Sequence, residues 1–163
     1  MQRPLLLLDI DGVISLFGFD PARRPEGRFV MVDGSAHYIS AGVGEHLRTL
    51  GAAFELAWCS GWEEKAEEYL PYALELPVGT RYLTFESEAE PDGRHWKLAS
   101  IDAYAGPDRP LAWVDDAHDE TCVDWADTRP APTLLVRTDP AIGLTGEHVA
   151  ELMGWAAELG AVG

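Results

Sequence analysis

Leu5-Leu6-Leu7-Leu8-Asp9-Ile10-Asp11-Gly12-Val13 is the stretch that decides the fold. An apolar run of this length, bounded by a glycine, reads as a strand buried on both faces, as in the middle of a parallel sheet. The run ends in two carboxylates that flank one apolar residue. In open α/β sheets, ligands bind beyond the carboxyl ends of the strands. Two acids placed there repel each other, and a divalent cation with oxygen ligands is the simplest compensating partner. Gly12 lets the chain turn sharply behind them.

Outward from this strand, the chain alternates between strand-like and helix-like segments. Arg28–Val32 and Ala36–Ile39 flank Asp33-Gly34, a hairpin signal, and predict a small β-flap within residues 17–40. Val43–Leu50 has helical spacing and stops at Gly51. Strands are expected at Phe54–Trp58, at Tyr82–Phe85 near an edge, at Leu111–Val114 and at Thr133–Arg137. Helices are expected at Glu63–Leu70, ended by Pro71, and at His95–Tyr104, Glu120–Ala126 and Thr145–Leu159, with a polar loop over Glu86–Gly93. This alternation predicts a doubly wound α/β domain: a five-stranded, mainly parallel sheet with helices on both faces, spanning 1–163 as one unit.

The bulk composition narrows the function. The 163 residues are enough for one domain with a core, and 47% hydrophobic content excludes disorder as the dominant state. With 28 acids against 12 bases, the formal net charge is -16, which disfavours a general nucleic-acid binder. Cys59 and Cys122 form no CxxC motif and are too few for a disulfide framework, which fits a reducing, cytoplasmic location. The N-terminal apolar run is too short for a signal peptide, and no stretch approaches the length of a membrane span.

Polar residues gather at the ends of three expected strands: Asp9 and Asp11 after the first, Ser60 after the second, Asp115 and Asp116 after the fourth. Lys97 lies on the expected helix before the fourth strand. Carboxylates and a backbone carbonyl can hold Mg²⁺. A hydroxyl and an ammonium can hold the oxygens of a phosphoryl group, and a carboxylate can attack phosphorus. Each motif alone has an ordinary explanation. Asp-x-Asp-Gly is common in turns and calcium loops, Asp115-Asp116 can cap a helix, Ser60-Gly61 can be a turn, and Lys97 can be a solvated helix residue. Their order along the chain is what points to chemistry.

With those residues in hand, the chain resembles the haloacid dehalogenase (HAD) superfamily of phosphohydrolases. Leu5–Val13 matches its first motif, Ser60 in Trp58-Cys59-Ser60-Gly61-Trp62 its second, Lys97 its third and Asp115-Asp116 its fourth. The layout also resembles a compact actinobacterial HAD group and the HAD module of RNA-repair proteins. The resemblance implies a hydrolase of phosphoric esters that works through an aspartyl phosphate. Asp9 would be the nucleophile and Asp11 the general acid and base. Ser60, Gly61 and Lys97 would bind phosphate. Asp9, Asp11 (through its carbonyl), Asp115 and Asp116 would hold Mg²⁺, with Asp116 preferred over Asp115 as the direct ligand.

The spans from Asp11 to Ser60 and from Ser60 to Lys97 leave no room for a large cap domain. An open site is therefore expected, with a phosphorylated substrate that can be macromolecular or a nucleic-acid end. Arg23, Arg24 and Arg28 in the flap form the densest basic cluster and are candidate phosphate readers. His95 and His118 read as surface residues, Trp62 as a packing residue, and Trp58, Trp96, Trp113 and Trp155 as core. Two other classes compete. A phospho-receiver domain is disfavoured, because its acceptor follows the third strand and its lysine the fifth. A catalytically idle HAD-like binding module would keep every motif without turnover.

Overall fold

The computed structural model describes residues 2–86 and 93–162. Strand β1 (Leu5–Leu8) is fully buried and sits at the centre of a five-stranded sheet. Its parallel neighbours are β5 (Glu55–Trp58), in register Leu8↔Trp58, and β7 (Leu111–Asp115), in register Leu8↔Val114. The edges are β6 (Arg81–Tyr82) and β8 (Thr133–Arg137), also parallel, so the order is β6-β5-β1-β7-β8. Register fixes function here, because it brings the carboxyl ends of β1, β5 and β7 level with one another.

Alternation along the central strands splits the core in two. Leu6, Leu8, Trp58, Ala112 and Val114 face one layer, which comprises α1 (Val43–Leu50), α2 (Glu64–Leu74) and α5 (Gly146–Val162). Leu5, Leu7, Ala57, Cys59 and Trp113 face the other, which comprises α3 (Leu98–Ala105) and α4 (Glu120–Thr128). Helices thus cover both faces. Trp58 and Trp113 are core residues, whereas Trp96 and Trp155 are only half-buried. None of the described helices is long and apolar enough to cross a membrane.

The flap is a three-stranded antiparallel sheet rather than a simple hairpin. A two-residue strand, β2 (Ser15–Leu16), pairs with β4 (Ser35–Ser40), which pairs with β3 (Gly27–Val32). Asp33 (φ 49°) and Gly34 (φ 81°) both adopt positive φ, as the tight hairpin turn requires. Two side chains of α2 hold that turn: Tyr69 Oη donates to Asp33 Oδ1 at 2.9 Å, and Lys65 pairs with Asp33 Oδ2.

Several boundaries differ from expectation by one or more residues, and three of the differences matter here. Helix α2 does not stop at Pro71 but runs on to Leu74 and closes at Glu75 in the left-handed conformation. Pro71 is buried against the core there, so packing outweighs the missing N–H. Helix α3 starts at Leu98, not His95, and leaves Lys97 as its N-cap. The third strand of the sheet covers Arg81–Tyr82 instead of Tyr82–Phe85. Of the expected Glu86–Gly93 loop, residues 87–92 lie outside the described residues.

Candidate active site

The site begins with a tight turn after β1. The Ile10 carbonyl accepts from the backbone N–H groups of Val13, Ile14 and Ser15 at 3.1, 2.8 and 3.0 Å. Thr138 Oγ1, buried beyond β8, donates to the Gly12 carbonyl at 2.7 Å. Gly12 has φ 86°, and a Cβ there would lie 2.4 Å from Asp116 Cγ. Only glycine lets the Asp116 carboxyl sit against the first motif.

Lys97 organises the charges. Its Nζ lies 3.1 Å from Asp9 Oδ1, 2.6 Å from Asp115 Oδ2 and 2.9 Å from the Cys59 carbonyl. All three side chains are buried. Position as an N-cap, not as a helical residue, aims the lysine across the strand ends. Burial alone would lower its pKa, but the surrounding negative groups outweigh burial and raise it, so the ammonium stays charged. Burial acts first on Asp9 as well and, helped by Asp115 and opposed by Lys97, raises its carboxyl to about 7. Asp115 moves the other way. Burial pushes it up, but Lys97 and the N–H of Ala117, 3.0 Å from Oδ1, hold it down. Asp116 is half-buried and raised by burial and by the Asp115 carboxylate.

Carboxylate oxygens of Asp9, Asp115 and Asp116 can all be chosen within 4.8 Å of one another. An all-oxygen set with this charge suits a hard divalent cation such as Mg²⁺. The pocket that glycine leaves at position 12 for Asp116 is consistent with that fit. Both oxygens of Asp115 already have protein partners. The Asp11 side chain stands outside this group and is half-exposed.

Ser60 is buried at the end of β5 and accepts the Trp62 backbone N–H at 3.2 Å through Oγ, which leaves its hydroxyl proton free to donate. Gly61 beside it is exposed. Trp62 packs against the core as expected and in addition donates its indole Nε1 to Asp11 Oδ2 at 3.1 Å. His37, on β4, has its ring centroid 4.6 Å from that of Trp62 and its Nδ1 3.7 Å from Asp11 Oδ1. Neither contact, nor the role of Thr138, has a signal in the sequence, because nothing in the spacing joins residues so far apart.

Two other expectations are corrected. His95 is buried, not a surface residue: its Nδ1 accepts the Lys97 N–H at 3.2 Å and its ring packs on Trp113. His118 is half-buried, its ring edge-on to Trp113 at 4.5 Å, and burial lowers its pKa to about 4. Arg23, Arg24 and Arg28 are all exposed; Arg28 donates to the Ala73 carbonyl of α2, and Arg24 lies 5.4 Å over the Tyr38 ring.

Residues 5–149 match the family described as the HAD domain in Swiss Army Knife RNA repair proteins. The chain belongs to the HAD superfamily. Two solved structures are similar to this HAD chain in fold. One is a probable YrbI family phosphatase from Pseudomonas syringae, with 17% identity and a TM-score of 0.53 over 98% of this chain and 90% of that one. The other is a hypothetical protein from Xanthomonas campestris, with 13% identity and a TM-score of 0.50 over 98% and 86%. No curated protein matches the chain.

Proposed function

We propose that this HAD protein is a Mg²⁺-dependent phosphomonoesterase, with Asp9 as nucleophile and Asp11 as general acid and base. Family membership supports the coarse part, a hydrolase of phosphoric esters. The observation that carries the finer part is the geometry at Lys97, which holds Asp9 and Asp115 together at the strand ends. Asp9, Asp115 and Asp116 would hold the cation, with the Asp11 carbonyl as a further ligand. When bound, the cation neutralises acid charge and favours negative charge on the phosphoryl oxygens.

The chain's own residues supply the rest. Ser60 Oγ, Gly61 and Lys97 bind and orient the phosphoryl group. An oxygen of Asp9 attacks phosphorus in line, and the bond from phosphorus to the leaving oxygen breaks. Asp11 gives its proton to that leaving oxygen. Asp11, now a carboxylate, takes a proton from water as the water oxygen bonds phosphorus. The bond between Asp9 and phosphorus breaks and inorganic phosphate leaves. The exposed Asp11, the absence of a large cap among the described residues and the exposed Arg23 and Arg24 support a bulky substrate. We infer a phosphate at a nucleic-acid end, a reading that the RNA-repair family also supports.

The test is hydrolysis of p-nitrophenyl phosphate with Mg²⁺, with EDTA and by Asp9→Asn. Turnover is expected that needs both Mg²⁺ and Asp9, and an RNA end phosphate should be a better substrate than p-nitrophenyl phosphate. Absence of turnover on every phosphoester by a folded protein would leave a binding module that has kept the motifs.

A further inference from the structure

We infer that Trp62, backed by His37, is the positioning residue that aims Asp11 at the leaving oxygen, and that it ties this aim to the phosphate-binding serine. The inference rests on the phosphomonoesterase reading above.

Asp11 stands on the turn after β1 with half of its side chain in solvent, and an exposed carboxylate of this kind turns freely unless it is held. Trp62 holds it. One end of the residue, the backbone N–H, donates to Ser60 Oγ at 3.2 Å. The other end, indole Nε1, donates to Asp11 Oδ2 at 3.1 Å. A single residue thus spans the group that receives phosphate and the group that exchanges the proton. The backbone supports the span. Glu63 adopts φ 48°, a costly conformation for a residue with a side chain. It is fastened by its N–H to the Ser60 carbonyl at 3.1 Å and by Oε1 to the Phe85 N–H at 3.0 Å.

The indole N–H on Oδ2 leaves Oδ1 to carry the proton that moves. His37 walls that oxygen. Its Nδ1 stays beyond hydrogen-bonding distance of Oδ1, at 3.7 Å, because it pairs with Ser15 Oγ at 3.1 Å. Its ring also meets the Trp62 ring edge-on. The flap therefore reaches the chemistry through one side chain that packs the indole in place.

An aim at the leaving oxygen matters most where that oxygen needs a proton to depart. The experiment compares p-nitrophenyl phosphate, whose leaving group departs as an anion, with glycerol phosphate, whose leaving group does not. Trp62→Phe keeps the ring and removes the donor. The expected result is a kcat and kcat/KM on glycerol phosphate lower by about tenfold or more, with KM little changed, and a kcat/KM on p-nitrophenyl phosphate, which excludes the shared water step, affected by less than about twofold. Asp11→Asn should lower kcat on both substrates, because the water step is shared, while its loss of kcat/KM is deeper on glycerol phosphate; His37→Ala should give the Trp62→Phe pattern more mildly. Equal loss of kcat/KM on both substrates, or a loss on glycerol phosphate confined to KM, would overturn the inference.

Turnover that survives Asp9→Asn would overturn the underlying phosphomonoesterase reading instead. A readout independent of turnover is the indole nitrogen–proton resonance of Trp62, assigned by its absence in Trp62→Phe. It should shift in Asp11→Ala, and an unmoved resonance would overturn the inference without any assay.

Discussion

Lys97 is one cation between two carboxylates, Asp9 and Asp115, and its loss should be felt through both. Removing one partner of a buried ion pair leaves uncompensated charge, which typically costs about 3–5 kcal/mol. Lys97→Met should lower stability by that order, and the size of the loss should depend on pH. Asp9 already holds its proton in the fold up to about 7, against 3.8 for an ordinary aspartate. Between those values the folded chain keeps a proton that the unfolded chain has released, so the stability that Asp9 allows falls as pH rises. Without Lys97, Asp9 and Asp115 both bind protons more tightly in the fold, which widens the window. Denaturant melts should therefore show a larger deficit for Lys97→Met at pH ~8 than at pH ~5. A deficit equal at both values would count against the ion pairs. Residues at strand ends were legible in the sequence because the buried run points at them. Trp62 was not, because an indole reaching back to Asp11 leaves no periodic trace.

At the scale of elements, strands and helices were legible wherever burial imposed a period, and boundaries failed where packing overrode a local signal. The four leucines of β1 and the run in β7 left little choice. Pro71 reads as a stop and is not one, because the residue is buried within the helix. Strand β2 has two residues and no pattern to find. The flap hairpin was legible from turn chemistry alone, and that chemistry can be tested. Gly34 sits at φ 81°, where a side chain costs about 1–2 kcal/mol. Gly34→Ala should lower the melting temperature by roughly 2–8 °C, from about 2–4 °C per kcal/mol for a chain of this size. A melting temperature equal to that of the unaltered protein would argue against the turn as described.

The whole molecule carries a formal net charge of -16, so it repels itself, and any salt should raise its melting temperature by screening. That background must be separated from a specific cation site. At matched ionic strength, Mg²⁺ should raise the melting temperature beyond NaCl, EDTA should remove the excess, and Asp116→Asn should abolish it. Equal shifts from the two salts would remove the case for Mg²⁺ in the acidic cluster. The flap has its own place at this scale. Its tip is fastened to α2 through Asp33, Lys65 and Tyr69, and its first long strand through Arg28 and the Ala73 carbonyl. It is carried like a bridge deck, supported at both ends, and not like a door. On the proposed reading, substrate and product would share one open mouth, and turnover should not wait on a moving flap.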